Sequence, residues 1–224
     1  MLDGYDIVAF DSDGAVAETG EKAGMTRAAI FRRAAAGGGA LIGGSALLAA
    51  LPGAALASSS GTAASDVAIL NYALTLEYLE AAFYNDAVAK GALKGETLKF
   101  AKIVRSHENE HVAFLKKALG SAAVKKPQFD FKGATASMAS FQKTAMALED
   151  TGVSAYAGQG PLIKNKAITA AALSIHSVEA RHAAWIREIL GKGGNPVPAP
   201  AAFDPAKTMK QVLAIVTGTG FIVG

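Results

Sequence analysis

The chain has 224 residues, 51% of them hydrophobic, a formal charge of +3 and no cysteine. Without thiols it forms no disulfide, iron–sulfur cluster or thiolate metal site, so any metal must be held by oxygen and nitrogen. Its lysines are scattered rather than interleaved with aromatics in a stripe, so the charge describes a solvated basic surface and no nucleic-acid partner is expected.

Residues 1–24 carry Asp3, Asp6, Asp11, Asp13, Glu18 and Glu21 against Lys22. An acidic leader does not suit the region that follows, and translation is expected to start at Met25; the other reading is a true acidic extension from Met1. Residues 25–57 read as an export signal. Arg27, Arg32 and Arg33 precede a glycine-rich apolar run, which ends in Ala55-Leu-Ala57, a small-residue cleavage site. The Arg32-Arg33 pair and the modest hydrophobicity fit passage through the twin-arginine machinery better than general secretion. The expected location is periplasmic or extracellular, or membrane-attached if the signal is retained. The run is short and broken by Gly37-Gly-Gly39 and Gly43-Gly44, so it is not expected to be a permanent span.

A linker at 58–65 leads into an expected all-α bundle at 66–190. Helix 1 is expected over 66–90, with Ser65 or Asp66 as its cap and an apolar period through Val67, Leu70, Leu74, Tyr78 and Ala81. Helix 2 follows over 96–119 after a short turn, antiparallel to the first, with Gly120 as its terminator. The segment 120–133, with Pro127, Phe129 and Phe131, is long enough to cross the bundle. Helix 3 is expected over 134–157, with Gly152 marking a bend or a close approach, and helix 4 over 163–190. Residues 191–224 form a Pro/Gly-rich tail with a short helix at 205–216, not continued by the glycine-rich end.

On this frame Glu77, Glu108-x-x-His111, Glu149 and Glu179-x-x-His182 recur one helix at a time. A Glu and a His three apart share a helix face. Their neighbours Val104, Leu115, Ile175 and Ile186 are apolar, where an unpaired carboxylate is costly. A single Glu-x-x-His is weak; the signal is the full order on four helices, the ligand set of a dinuclear centre. Four carboxylates balance two divalent cations, and oxygen and nitrogen donors suit two iron or two manganese ions. Around the six ligands, Glu80 shares the face of Glu77, as an extra ligand or a polar-face residue. Tyr84 and Tyr156 each fall seven residues after a ligand glutamate, as supporting hydrogen-bond donors or packing aromatics. His176 reads as a supporting group or a structural hydrogen bond, Asp150 as a partner for a ligand imidazole, and His107 as a surface or interface residue.

Three stretches, 70–84, 107–111 and 177–185, resemble the ferritin-like superfamily of ferritins, bacterioferritins and rubrerythrins. They are most similar to its exported branch, which includes plant desiccation-related proteins. The resemblance implies a ferritin-like four-helix bundle with a long crossover between helices 2 and 3. It also implies a di-iron type of site on Glu77, Glu108, His111, Glu149, Glu179 and His182. If the chain is an enzyme, it would be a di-metal oxidoreductase acting on oxygen or peroxide or oxidising iron. The alternative is a non-enzymatic metal-binding or desiccation-protective protein. An iron-storing cage is a third reading, and homo-oligomerisation is left open.

Overall fold

The computed structural model describes residues 64–191 and 194–223. The acidic leader, the export signal and most of the linker lie outside the described residues. Among the described residues, five α-helices form an all-α bundle with an appended C-terminal helix: α1 Ala64–Lys90, α2 Gly95–Leu119, α3 Met138–Gln159, α4 Lys166–Gly191 and α5 Met209–Thr219. No described helix is long and apolar enough to cross a membrane.

Contacts between side chains set the helix directions. Tyr84 on α1 reaches Glu149 on α3, and Tyr156 reaches back to Glu77, so α1 and α3 are antiparallel. His111 meets Glu179 while Glu108 meets His182, so α2 and α4 are antiparallel. The short turn at Gly91 (φ 70°) makes α1 and α2 antiparallel as well. Then α2 and α3 run parallel, and the chain between them must travel the length of the bundle. It does so pinned at both ends to α1. Asn71 donates to Ala122 O at 2.9 Å, and Lys90 donates to Thr135 Oγ1 at 2.7 Å. This is the long crossover expected between helices 2 and 3.

Each helix after the crossover starts three or four residues after its expected position, because a polar side chain caps it there. Ser137 accepts from Ser140 N at 3.1 Å, and Ser140 Oγ accepts from Ser137 N, a reciprocal box at the start of α3. Asn165 accepts from Ala167 N and Ile168 N ahead of α4. Thr208 and Gln211 make a second box ahead of α5. Asp66 is not a cap for its own helix. It lies within the first turn of α1, fully buried, and accepts from Lys164 N and Asn165 N at 3.1 and 2.9 Å. It thereby fastens the entrance of α4 to the start of α1. Asp66→Ala would leave two backbone donors without an acceptor and is expected to cost about 2–3 kcal/mol in urea unfolding.

The tail departs from expectation. Helix α5 runs on to Thr219, and the residues after it dock against the crossover. Phe221 is buried edge-on to Phe131 at 5.4 Å, its carbonyl accepts from Asp130 N, and Ile222 bridges to Phe129. Val212 and Val216 seat α5 in the same cluster as Phe83, Phe100 and Phe141. That cluster fills one end of the bundle. A second, around Leu70, Leu74, Phe114, Ile168 and Ile175, fills the other. The glutamates and histidines lie between them.

Candidate metal centre

Glu77 and Glu80 come from α1, Glu108 and His111 from α2, Glu149 from α3, and Glu179 and His182 from α4. Glu77, Glu108, Glu149 and Glu179 are 0% exposed, and Glu80 and His182 3%. The donor atoms of Glu77, Glu108, His111 and Glu179 lie within 4.8 Å of one another, as do those of Glu108, Glu149, Glu179 and His182. Glu108 and Glu179 belong to both sets.

The atom pairing is more specific than the grouping. His111 Nδ1 lies 3.2 Å from Glu77 Oε2, 3.3 Å from Glu108 Oε2 and 3.2 Å from Glu179 Oε1. His182 Nδ1 lies 3.2 Å from Glu108 Oε1, 3.2 Å from Glu149 Oε2 and 3.8 Å from Glu179 Oε2. Each shared glutamate thus turns one oxygen to each imidazole. Around His182 these atoms are close without being aligned as hydrogen bonds. Glu108 Oε1, Glu149 Oε2, both oxygens of Glu179 and His182 Nδ1 are buried with no hydrogen-bond partner. Buried polar atoms left so are expensive. Donors about 2.1 Å from a common ion sit about 3.0–3.4 Å from one another in tetrahedral or octahedral coordination. Five of the six spacings are of that size and only Glu179 Oε2, at 3.8 Å from His182 Nδ1, stands farther off, so a bound cation would satisfy these atoms together. The residues present fit a metal.

Crowding of like charges shifts the titrations. Burial, then the Coulomb repulsion of Glu179, raises Glu80 and Glu108 well above the ordinary carboxylate range. Burial lifts Glu149 to about 7, against the pull of His182. Glu179 moves the other way: burial would raise it, but the two imidazoles of His111 and His182 beside it outweigh that and hold it low. Burial would lower His111 and His182, but the surrounding glutamates raise both.

Two tyrosines hold the outer oxygens of the ligand set. Tyr156 donates to Glu77 Oε1 at 2.5 Å, and Tyr84 donates to Glu149 Oε1. Each leaves its glutamate's other oxygen facing the cluster. Glu80 is buried beside them rather than on a polar face, though it belongs to neither four-residue set. Room for it comes from Gly152: a Cβ there would stand 3.3 Å from Glu179 Oε2 and 3.4 Å from Glu80 Oε1. Gly152 therefore marks a close approach. Gly152→Ala is expected to weaken metal binding by about tenfold, the loss typical of a disturbed supporting group, as read by competition with a chelator.

Three expectations are corrected or left aside. His107, expected at the surface or an interface, is half-buried and turned toward the site: its Nδ1 lies 2.8 Å from His182 Nε2, and the rings stack at 5.1 Å. Burial and the neighbouring His182 lower it to about 4. The residue was missed because its direction on α2 ignores α4, which brings His182 alongside. With Nδ1 of His182 turned to the carboxylates, Nε2 is free to hydrogen-bond His107 and fix the ring's orientation. Asp150 holds no imidazole; it pairs with Arg187 on α4, with contacts of 2.5 and 3.3 Å. His176 stays outside both donor sets, its Nε2 buried without a partner.

A search of curated proteins gives no match to this chain. A family model described as a ferritin-like domain matches residues 65–192, more than half of the chain. This match covers α1 to α4 and every residue of the buried cluster. The chain belongs to the ferritin-like domain family.

Proposed function

We propose that the cluster is a dinuclear carboxylate centre for iron or manganese in an exported oxidoreductase acting on oxygen or peroxide. The carrying observation is the division of Glu108 and Glu179, each giving one oxygen toward His111 and one toward His182. Two carboxylates so divided would be able to bridge a pair of ions. Glu77 with His111 would complete one ion's donors, and Glu149 with His182 the other's. With Glu80 raised by burial so that it favours its neutral acid, the other four carboxylates against two divalent ions leave the buried site neutral, which a single ion would not. A pair of such ions supplies two electrons, enough to take dioxygen to hydrogen peroxide, or hydrogen peroxide to water, with two protons consumed in either case. The chain's own part is to hold the donors in place through Tyr84, Tyr156 and His107, and to exclude bulk water. Export rests on the Arg32-Arg33 signal and the small-residue ending at Ala57.

A second reading, a stress-protective protein with a purely structural metal, draws on the burial of the same residues. The two part on redox behaviour. Protein exported by its native host is expected to carry about two iron or manganese ions per chain by elemental analysis, as the paired donor sets require. Its visible spectrum should change on adding peroxide or oxygen to the reduced form. Two ions with no redox response would favour the structural reading, and no bound transition metal in a folded chain would sink both.

A further inference from the structure

The two ends of the bundle are filled differently. On the Tyr84 side the centre is sealed by Phe83, Phe100 and Phe141, all fully buried, with ring centroids 5.3–6.5 Å apart. On the Tyr156 side the four helices leave a cavity. Its inner wall is Leu76, Tyr156 and Ile175: the neighbour of Glu77, the tyrosine that holds Glu77, and the residue one turn from Glu179. Its outer wall reaches Ile69 and Ile168. From Ile69 to Leu76 is about 10 Å along α1. Alanines, Ala172 among them, leave the space between.

Two properties select an occupant. The cavity is narrow, with about 20 Å³ open to the centre of a water-sized sphere, room for one or two small molecules and no organic substrate. Its wall is apolar throughout: Tyr72, Tyr156 and Gln159 border it but turn no polar surface into it. Water or hydrogen peroxide there would give up hydrogen bonds without replacement, at a cost of several kcal/mol. Dioxygen forfeits none.

We propose that this cavity is the docking site from which dioxygen is supplied to the centre, and that it discriminates against hydrogen peroxide. The proposal rests on the dinuclear reading and narrows it to dioxygen as the oxidant admitted from this side. The centre also meets solvent at His111, whose side chain is 12% exposed, and this polar side offers peroxide an approach outside the cavity.

Xenon is the probe, since apolar cavities of this kind take it up. Crystals of the metal-loaded chain under xenon pressure should show an atom between Leu76, Tyr156 and Ile175. Ala172→Leu, which fills the cavity from a residue outside the ligand set, should abolish that atom and leave the metal content unchanged. The reaction of the reduced variant with dioxygen should slow about tenfold, equivalent to a barrier raised by about 1.4 kcal/mol, with its peroxide reaction unaltered. An intact wild-type protein without xenon overturns the proposal, whatever the variant does. So does a xenon-free variant that still reacts with dioxygen at the wild-type rate, or one that slows equally toward both oxidants. Metal content of the same samples separates the two claims: chains without metal overturn the centre itself, and chains with two ions but no xenon overturn the cavity alone.

Discussion

If the centre holds two ions as proposed, Glu108→Gln and Glu179→Gln are each expected to lose both, whereas Glu77→Gln and Glu149→Gln should lose one. The asymmetry follows from the pairing of oxygens with imidazoles. Glu108 offers Oε2 on the His111 side and Oε1 on the His182 side, and Glu179 does the same with its own two oxygens. Glutamine keeps the shape but removes the charge and replaces one oxygen with an NH2 group that cannot ligate. At a shared position that change reaches both ions and leaves three negative charges facing four positive ones. At Glu77 or Glu149 it touches one ion, and the tyrosine can still donate to the amide oxygen. Loss of a ligand should exceed the roughly 10–100-fold weakening that follows loss of a supporting group. Elemental analysis after dialysis against a mild chelator counts the ions directly. Equal single-ion losses at all four positions would show that no carboxylate bridges. Glu80→Gln, measured alongside, decides between its two roles: an ion lost there makes it a ligand, and two ions retained make it a buried neighbour.

The bundle and the crossover were legible because they depend on local patterns. Glu and His three apart declare a helix face, and Gly91 and Gly120 mark where two helices stop. Helix starts were less legible. Ser137 and Asn165 cap by geometries that leave a weak trace in sequence, whereas Thr208-x-x-Gln211 is a box that could have been read. Asp150 and His107 show where one-helix reasoning fails. Each stands one residue from a ligand glutamate, a rotation of about 100°. For Asp150 that rotation leads away from the site and into the grip of Arg187. For His107 it also leads away from Glu108, but there His182 of α4 comes alongside. Which outcome applies depends on the neighbouring helix, and that is tertiary information. The docked tail depends likewise on Phe221 meeting Phe131, and the cavity on the sizes of side chains from four helices.

The metal-free protein is expected to lose stability as pH rises from about 5 to 8, and the metal-loaded protein to gain it. In the empty centre Glu149 titrates near 7 instead of 4.5, because burial outweighs the pull of His182. Glu80 and Glu108 are raised as well, by burial and by Glu179. The folded state therefore holds protons that the unfolded chain has already released. That stabilisation is complete below the unfolded value of 4.5 and drains away as pH climbs through the folded values. His111 and His182 act in the same sense: both are raised, so their contribution is present below 6.5 and lost above it. Glu179 opposes them, since its contribution is held above 4.5 and lost on acidification, which places the stability maximum near pH 5 rather than lower. Glu149 alone accounts for on the order of 3 kcal/mol across this window. In a domain of this size that is about 6–12 °C in Tm. Divalent ions reverse the slope, because they need the carboxylates ionised and the imidazoles neutral, and so bind more tightly as protons leave. Calorimetric scans of chelated and loaded protein at pH 5, 6, 7 and 8 should give two lines that diverge with pH. A metal-free Tm that rose over that range would mean the buried glutamates are not crowded in the way the structure places them.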